Sequence, residues 1–350
     1  MLIPIPPSTR LHIGSHILAG DLLTQECSRF GSRPIVVADE ALKKILTDKI
    51  ARQLQAELIC IPSGEKAKTR EIKQQIEDRL LQAGYGRDTV IVAIGGGTTT
   101  DVVGLIASTY LRGVPLILIP TTLLGMVDAA IGGKTGINTP FGKNMIGTIY
   151  PPKAILCDFE VLHTLPGQER LNGMAEILKM GLIADPVILD LASQTDRFEE
   201  LVIRAIQGKI AIIEQDLLEG GRRRVLNFGH TIGHALEAVS RYEMPHGLAV
   251  AIGSMASCHL SMTLGYLSSH DFDQALRHYQ IFFSLKLPKN YCREHLIQAM
   301  RSDKKKIMSA IRFVLIDRLG HALPFDQEYC RPVSEDELQE TLSWMEERFG

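Results

Sequence analysis

The sequence predicts an α/β chain in two parts. An N-terminal, Rossmann-like parallel-sheet domain spans about residues 1–160, and a C-terminal, mainly α-helical domain spans 161–350. Three observations lead there. Short β-branched runs alternate with amphipathic stretches through the first half, the pattern of a parallel sheet covered on both faces. Past Asp158 long stretches with apolar residues at helical spacing take over. A chain of 350 residues is also long for a single core.

Residues 34–38 read as a strand, a short β-branched run after Gly31 and Pro34. Residues 40–55 read as a helix and 57–61 as a strand. Residues 67–82 place charges between helically spaced apolar residues and read as a helix. A strand over 89–94 is closed by Gly95, Gly96 and Gly97, then a helix follows over 102–110 and a strand over 115–119. The domain boundary falls near 158–165. Helices are then expected over 167–183, 198–214, 230–239, 246–264 and 335–348, with a short strand pair within 311–316. Residues 322–334 match no pattern, and no internal repeat or low-complexity tract occurs.

The formal net charge of -2 provides no global field to attract nucleic acid or an anionic membrane. An anionic ligand must be met by local positive charge. Six scattered cysteines without a Cys-x-x-Cys pair argue against a cysteine zinc site and fit a reducing compartment. The proline-rich first ten residues have no basic region leading into an apolar segment, so no secretory leader is expected. No apolar run reaches the ~18 residues of a membrane span. A cytoplasmic enzyme is the expectation.

Gly95, Gly96 and Gly97 lie between a strand and a helix, where glycines let a phosphate approach the backbone and the helix N-terminus. Their spacing is not Gly-x-Gly-x-x-Gly, and a plain tight turn explains them equally well. Asp39, just after a strand, suits a ribose hydroxyl or a helix cap. Between 120 and 144 the polar residues Thr121, Thr122, Asp128, Lys134, Lys143 and Asn144 are set among glycines and apolar residues. A glycine-rich loop explains the glycines there but not the density of polar groups.

The histidines are the strongest local signal. His230 and His234 lie at i and i+4 on one helix face, and His246 opens the next helix after Pro245. Glu176 sits in an otherwise apolar helix, where a carboxylate must pair or bind a metal. Three imidazoles and a carboxylate suit Zn²⁺ or a similar ion, and spacing does not choose among them. The zinc-protease motif is excluded, because no glutamate follows His230. Lys209, Asp216, Glu219, Arg223 and Asn227 precede this helix, and a lysine and an arginine near a metal suggest a bound carboxylate or phosphate. Arg222, Arg223 and Arg224 cannot all face one ligand, and the run Lys304 to Lys306 is of a kind that is usually solvated.

Several blocks together resemble the 3-dehydroquinate synthase family between about 34 and 319. They are Pro62-Ser63-Gly64-Glu65-Lys66, Gly95-Gly96-Gly97 with Asp101, Pro120-Thr121-Thr122-Leu123-Leu124, Gly132-Gly133-Lys134-Thr135-Gly136, and Gly142-Lys143-Asn144. Ala175-Glu176, Leu226-Asn227-Phe228-Gly229-His230-Thr231 and Pro245-His246-Gly247 complete the set. The resemblance implies a nucleotide-binding α/β domain, a helical metal-binding domain and an active site in the cleft between them. It implies a divalent metal, Zn or Co, on Glu176, His230 and His246. NAD would be bound by Asp39, Glu65, Lys68, Gly96, Gly97, Asp101, Thr121, Thr122, Lys134, Lys143, Thr164, Leu165 and Glu169. Asp128, Lys134, Asn144, Lys179, Lys209, Arg223, Asn227 and His234 would meet the substrate. Arg112 would cross a homodimer interface, and one of Lys304 to Lys306, by preference Lys305, would contact phosphate. Two positions depart from the family: Thr100 replaces a common glycine before Asp101, and Ala41 replaces a common polar residue near the ribose.

The implied reaction converts 3-deoxy-D-arabino-heptulosonate 7-phosphate to 3-dehydroquinate and phosphate. It proceeds by transient oxidation with NAD, β-elimination, reduction, ring opening and intramolecular aldol closure. A metal-dependent alcohol dehydrogenase is the nearest rival, but Lys134, Lys209 and Arg223 would there be superfluous. A sugar-phosphate cyclase with an uncharged substrate would not use the carboxylate clamp. A non-catalytic nucleotide-binding protein leaves Glu176 and the histidines unexplained.

Overall fold

A computed structural model describes residues 1–5, 9–303 and 310–350. The chain forms two compact units, Met1–Pro166 and Gly167–Gly350.

The first unit contains β1 (Leu2–Ile5), β2 (Thr9–Gly14), α1 (Leu22–Phe30), β3 (Arg33–Asp39), α2 (Asp48–Gln53), β4 (Glu57–Ile61) and α3 (Arg70–Gln82). It continues with β5 (Thr89–Gly95), α4 (Gly97–Thr109), β6 (Leu116–Pro120), β7 (Lys134–Thr139), β8 (Gly142–Ile149) and β9 (Ala154–Asp158). Seven strands form one sheet in the order β1-β2-β9-β6-β5-β3-β4. Every neighbouring pair is parallel except β1 with β2. β5, β6 and β9 are buried along their whole length, which is why they read as continuous apolar runs and not as alternating ones. Val36, Val92, Ile94, Ile117 and Leu156 pack with Leu23 and Ile50 of the covering helices.

Register places the candidate residues. Ala38 pairs with Ile94, and Gly95 pairs with Pro120. Asp39, Gly96 and Thr121 therefore leave the sheet at the same carboxyl edge, where open α/β sheets bind their ligands. β7 and β8 form a separate antiparallel ribbon that carries Lys134 at one end and Lys143 and Asn144 near its turn.

The helix expected over 40–55 is broken into a 3₁₀ turn at Glu40–Leu42, a π turn at Lys43–Thr47 and α2. The Asp39 carboxylate takes the Ala41 N–H and tightens the first turn, and the Thr47 hydroxyl bonds back to the Leu42 and Lys43 carbonyls. The helix expected from 67 starts at Arg70, because Thr69 caps it through the Ile72 N–H. The helix expected from 102 begins five residues earlier, at Gly97.

The second unit contains α5 (Gly167–Ile183), α6 (Val187–Leu191), α7 (Phe198–Gln215), α8 (His230–Val239), α9 (His246–Thr263), α10 (Ser269–Phe282), α11 (Arg293–Asp303) and α12 (Glu335–Phe349). Four short strands lie between α11 and α12: β10 (Arg312–Phe313), β11 (Ile316–Arg318), β12 (His321–Ala322) and β13 (Arg331–Pro332). The strand pair expected within 311–316 is not formed. β10 pairs with β13, which lies inside the stretch the sequence pattern left unread, and β11 pairs with β12, which lies at its start. α9 is buried along most of its length and packs against α5, α8, α10 and α12. Among the described residues, no helix is long and apolar enough to cross a membrane.

Candidate metal centre and nucleotide-binding turn

In the second unit, α5 brings Glu176, α8 brings His230 and α9 brings His246 to one point. One ligand atom from each lies within 4.8 Å of the others. Glu176 is 2% exposed, so its charge must be balanced locally. The Lys179 ammonium, one turn along α5, pairs with it and donates to the Leu226 carbonyl at 2.7 Å. Burial pushes the Glu176 carboxyl up, but the Lys179 ammonium, followed by the facing His230 and His246 rings, prevails and holds it well below its usual range.

The tautomers explain what the three groups suit. His230 Nδ1 lies 3.0 Å from the Phe228 carbonyl, which can only accept, so the proton of the neutral ring is on Nδ1. Its Nε2 lone pair faces Glu176 Oε1 at 3.4 Å. His246 Nε2 lies 3.4 Å from the same oxygen, and its Nδ1 is 3.5 Å from Glu237 Oε2. Neither Glu176 oxygen accepts a well-directed hydrogen bond from the described residues. Lone pairs converging on a buried carboxylate are what a divalent cation satisfies, and one carboxylate with two imidazoles suits Zn²⁺ or Co²⁺. Burial, followed by the Lys179 charge, keeps the His230 ring neutral. Burial also opposes charge on His246, but the Glu176 and Glu237 carboxylates override it and push its pKa up to about 10.

His234 is placed differently. Its ring sits edge-on to His230 with centroids 5.1 Å apart, and it is exposed and outside the trio. The stretch before α8 is organised by Asp216, whose carboxylate accepts the backbone N–H groups of Gly220, Gly221 and Arg223 at 2.8, 2.7 and 3.0 Å. Of the three arginines only Arg223 is buried; Arg222 is exposed and Arg224 pairs with Glu328. Arg223 donates to the Leu217 carbonyl at 2.5 Å, Asn227 donates to Glu219 at 2.9 Å, and Lys209 is buried on α7. Glu169, in the first turn of α5, accepts from Asn172, whose own oxygen holds the Gly247 N–H beside His246.

In the first unit, α4 starts at Gly97 with Gly96 as N-cap, no side-chain cap and no acid in its first turn. Such a terminus presents N–H groups and positive dipole to an anion. A Cβ on Gly96 would lie 3.0 Å from Thr122 Cγ2, and one on Gly97 3.0 Å from Ala129 Cβ, so the turn has no room for side chains. Asp39 accepts from the Ser63 hydroxyl as well as from Ala41 N–H. The Lys68 ammonium bonds to Asp101 at 2.7 Å and to the Asn144 side-chain oxygen at 2.5 Å. Burial raises the Asp101 pKa against the pull of Lys68. Glu65 takes the Asn138 amide at 2.5 Å and the Thr98 hydroxyl at 3.4 Å. The Thr122 hydroxyl is engaged by the Gly125 N–H and Thr121 N–H by the Gly95 carbonyl, while Asp128 lies in the π turn Gly125–Ala129. Lys134 and Lys143 are exposed on the ribbon, and Thr164 and Leu165 close the segment after β9. Arg112 is exposed on a turn where it and Leu111 have φ of 67° and 48°. Lys305 lies outside the described residues.

Two residues escaped the sequence reading. Asn138 bonds Glu65, Lys68 and Asn144 together, and its signal was a polar residue amid Gly136, Ile137 and Thr139. Glu237, behind His246, continues the face of His230 and His234 at i+7.

Sequence models of one family match most of the chain. The one described as 3-dehydroquinate synthase N-terminal matches residues 58–172, and the one described as 3-dehydroquinate synthase C-terminal matches residues 173–306. The 3-dehydroquinate synthase of Paenarthrobacter aurescens (strain TC1) is 46% identical over 269 residues, 73% of each chain. That of Streptomyces avermitilis is 40% identical over 339 residues, 89% of this chain and 93% of its own. A solved structure of 2-epi-5-epi-valiolone synthase from Streptomyces hygroscopicus subsp. jinggangensis 5008, with NAD⁺ and Zn²⁺ bound, is similar at a TM-score of 0.85 and 28% identity, covering 99% of both chains.

Proposed function

The chain belongs to the 3-dehydroquinate synthase family, and from that premise we propose that the residues described above carry out the family reaction in this protein. It is a lyase that converts 3-deoxy-D-arabino-heptulosonate 7-phosphate to 3-dehydroquinate and phosphate, a step that leads to aromatic compounds through shikimate and chorismate. The observation that carries the site assignment is the convergence of Glu176, His230 and His246 within 4.8 Å around a buried carboxylate.

Glu176, His230 and His246 hold the metal, Zn²⁺ or Co²⁺. Gly96 and Gly97, at the N-terminus of α4, would hold the NAD pyrophosphate, and Asp39, at the carboxyl edge of the sheet, a ribose hydroxyl. When bound, the metal would supply Lewis-acid polarisation of a ring hydroxyl and NAD⁺ a reversible hydride acceptor, so the turnover would have no net redox change. The family resemblance assigns Lys134, Arg112 and Lys305 to the leaving phosphate, where negative charge builds. Lys209 and Arg223 hold the substrate carboxylate, and Asp128, Asn144, Lys179, Asn227 and His234 orient the remainder. Arg112 acts on the site of a second copy, so the working assembly is a homodimer; its exposed turn supports this. All six cysteines are free, which supports a reducing, cytoplasmic setting.

The test is inorganic phosphate release from the heptulosonate phosphate, with 340 nm absorbance followed alongside and a chelator control. Chelator-sensitive phosphate release without lasting NADH is the expected result. Net NADH accumulation would mark a dehydrogenase, and no phosphate release with metal and NAD supplied would overturn the reading.

A further inference from the structure

We propose that Glu237 is a positioning residue of the metal centre: its carboxylate holds the Nδ1–H of His246, directs Nε2 at the metal and adds a second negative charge to the site. This deepens the reading of Glu176, His230 and His246 as metal ligands and rests on it.

The two imidazoles of the trio are held from behind by different groups. His230 Nδ1 faces the Phe228 carbonyl at 3.0 Å, a neutral acceptor supplied by the loop just before α8. His246 stands at the first position of α9, where no side chain caps the helix. Glu237 Oε2 lies behind its ring, 3.5 Å from His246 Nδ1. It reaches there because α8 sets residues 230, 234 and 237 on one face, at i, i+4 and i+7.

Glu237 is nearly as buried as Glu176, at 9% against 2% exposure. A buried carboxylate is costly unless it meets a cation or several donors. A carboxylate behind a ligating imidazole fixes the tautomer, stops the ring from turning and makes Nε2 more basic. It also alters the charge balance. Lys179 offsets the Glu176 charge, and Glu237 brings a further carboxylate to the far side of the His246 ring.

The test uses the full-length protein stripped of metal. Affinities for Zn²⁺ and Co²⁺ are measured by competition with a chromophoric chelator, together with the visible absorption of the Co²⁺ form. Far-UV circular dichroism and NAD affinity of the metal-free protein control for folding. Glu237→Met is expected to weaken metal binding about 10- to 100-fold and to change the Co²⁺ spectrum. Glu237→Gln keeps an acceptor for Nδ1–H without the charge, and should fall between Met and wild type. A folded Glu237→Met protein with wild-type metal affinity and Co²⁺ spectrum overturns the proposal. If Glu237→Met does not fold, Glu237→Gln decides, and an affinity within about twofold of wild type with an unchanged spectrum overturns it. Failure of the wild type to bind either metal, or of His246→Ala to weaken binding, would instead remove the metal assignment and this proposal with it.

Discussion

Lys179 Nζ meets the carboxylate of Glu176 three residues back along α5, and both side chains are almost wholly buried. Breaking a buried pair by deleting one partner leaves an uncompensated charge, at a cost of about 3–5 kcal/mol. Lys179→Met should destabilise the metal-free protein by that order, and Zn²⁺ should restore part of the loss by supplying positive charge at Glu176. The pH dependence has a definite sign. A carboxyl held well below its usual 4.5 contributes stability above that pH, and loses it as pH falls through the lowered value. Without Lys179 the loss should begin at higher pH. Denaturant titrations with and without metal check this, and a metal-free variant within about 1 kcal/mol of wild type would sink it.

The legible parts of the fold were those set by local period. β5 with its glycine turn, α5, α8 and α9 show their apolar spacing directly. The helix over 40–55 was misread because the Asp39 carboxylate bonds the Ala41 N–H, a local competitor that apolar spacing does not register. β1, β2 and the β7–β8 ribbon went unread; β2 takes its place by pairing with a distant strand, Arg10 with Ala154, while β1 with β2 and β7 with β8 pair locally in stretches interrupted by proline or glycine. At the site, i and i+4 spacing singled out His230 and His234, a relation within one helix. His246 joins Glu176 through the packing of α9 on α5, where Gly247 lets the helix start come close to Asn172. The residue types grouped Glu176 with the three histidines as a metal set, and the family resemblance selected His230 and His246 over His234. Asn138 and Glu237 are embedded polar residues whose partners likewise depend on packing.

Asp216 should act on substrate binding without touching substrate. Burial opposes its ionisation, but the N–H groups of Gly221, Arg223 and Gly220 hold its carboxyl below the usual range. Asp216→Ala removes these charge-assisted bonds from the turn that carries Arg223. Each is worth roughly 1.5–3 kcal/mol, so KM for the heptulosonate phosphate should rise on the order of 10-fold or more. NAD affinity should stay as it is. An unchanged KM would show that the turn holds Arg223 without Asp216.

The single tryptophan offers a direct view of one buried histidine. The His259 and Trp344 rings stack with centroids 4.4 Å apart and planes 13° apart. Burial lowers the His259 pKa to about 4. A depressed pKa contributes stability in full above the unfolded value of about 6.5, and that stability erodes as pH falls toward 4. The full effect is ~3 kcal/mol. His259→Phe should therefore flatten the fall in Tm between neutral pH and mild acid, and abolish the acid-linked change in Trp344 fluorescence that precedes unfolding. Identical pH profiles for variant and wild type would refute the assignment.

Gly229 tests how closely α8 must approach α9. Its φ is +76°, and a Cβ there would lie 2.5 Å from Ser254 Oγ and 2.8 Å from the Ser254 backbone nitrogen. The left-handed conformation costs a non-glycine residue about 1–2 kcal/mol, and overpacking against a buried helix adds about 1–3. Gly229→Ala should lose roughly 2–5 kcal/mol of stability on those two terms. His230 is the next residue, so any relaxation that accommodates the methyl group displaces a ligand, and metal affinity should fall in the protein that still folds. Gly167→Ala, at the start of α5 with nothing within 4 Å of the new Cβ, is the matched control and should change neither. If Gly229→Ala binds Zn²⁺ like the control, the backbone contact at Ser254 is not what sets the position of His230.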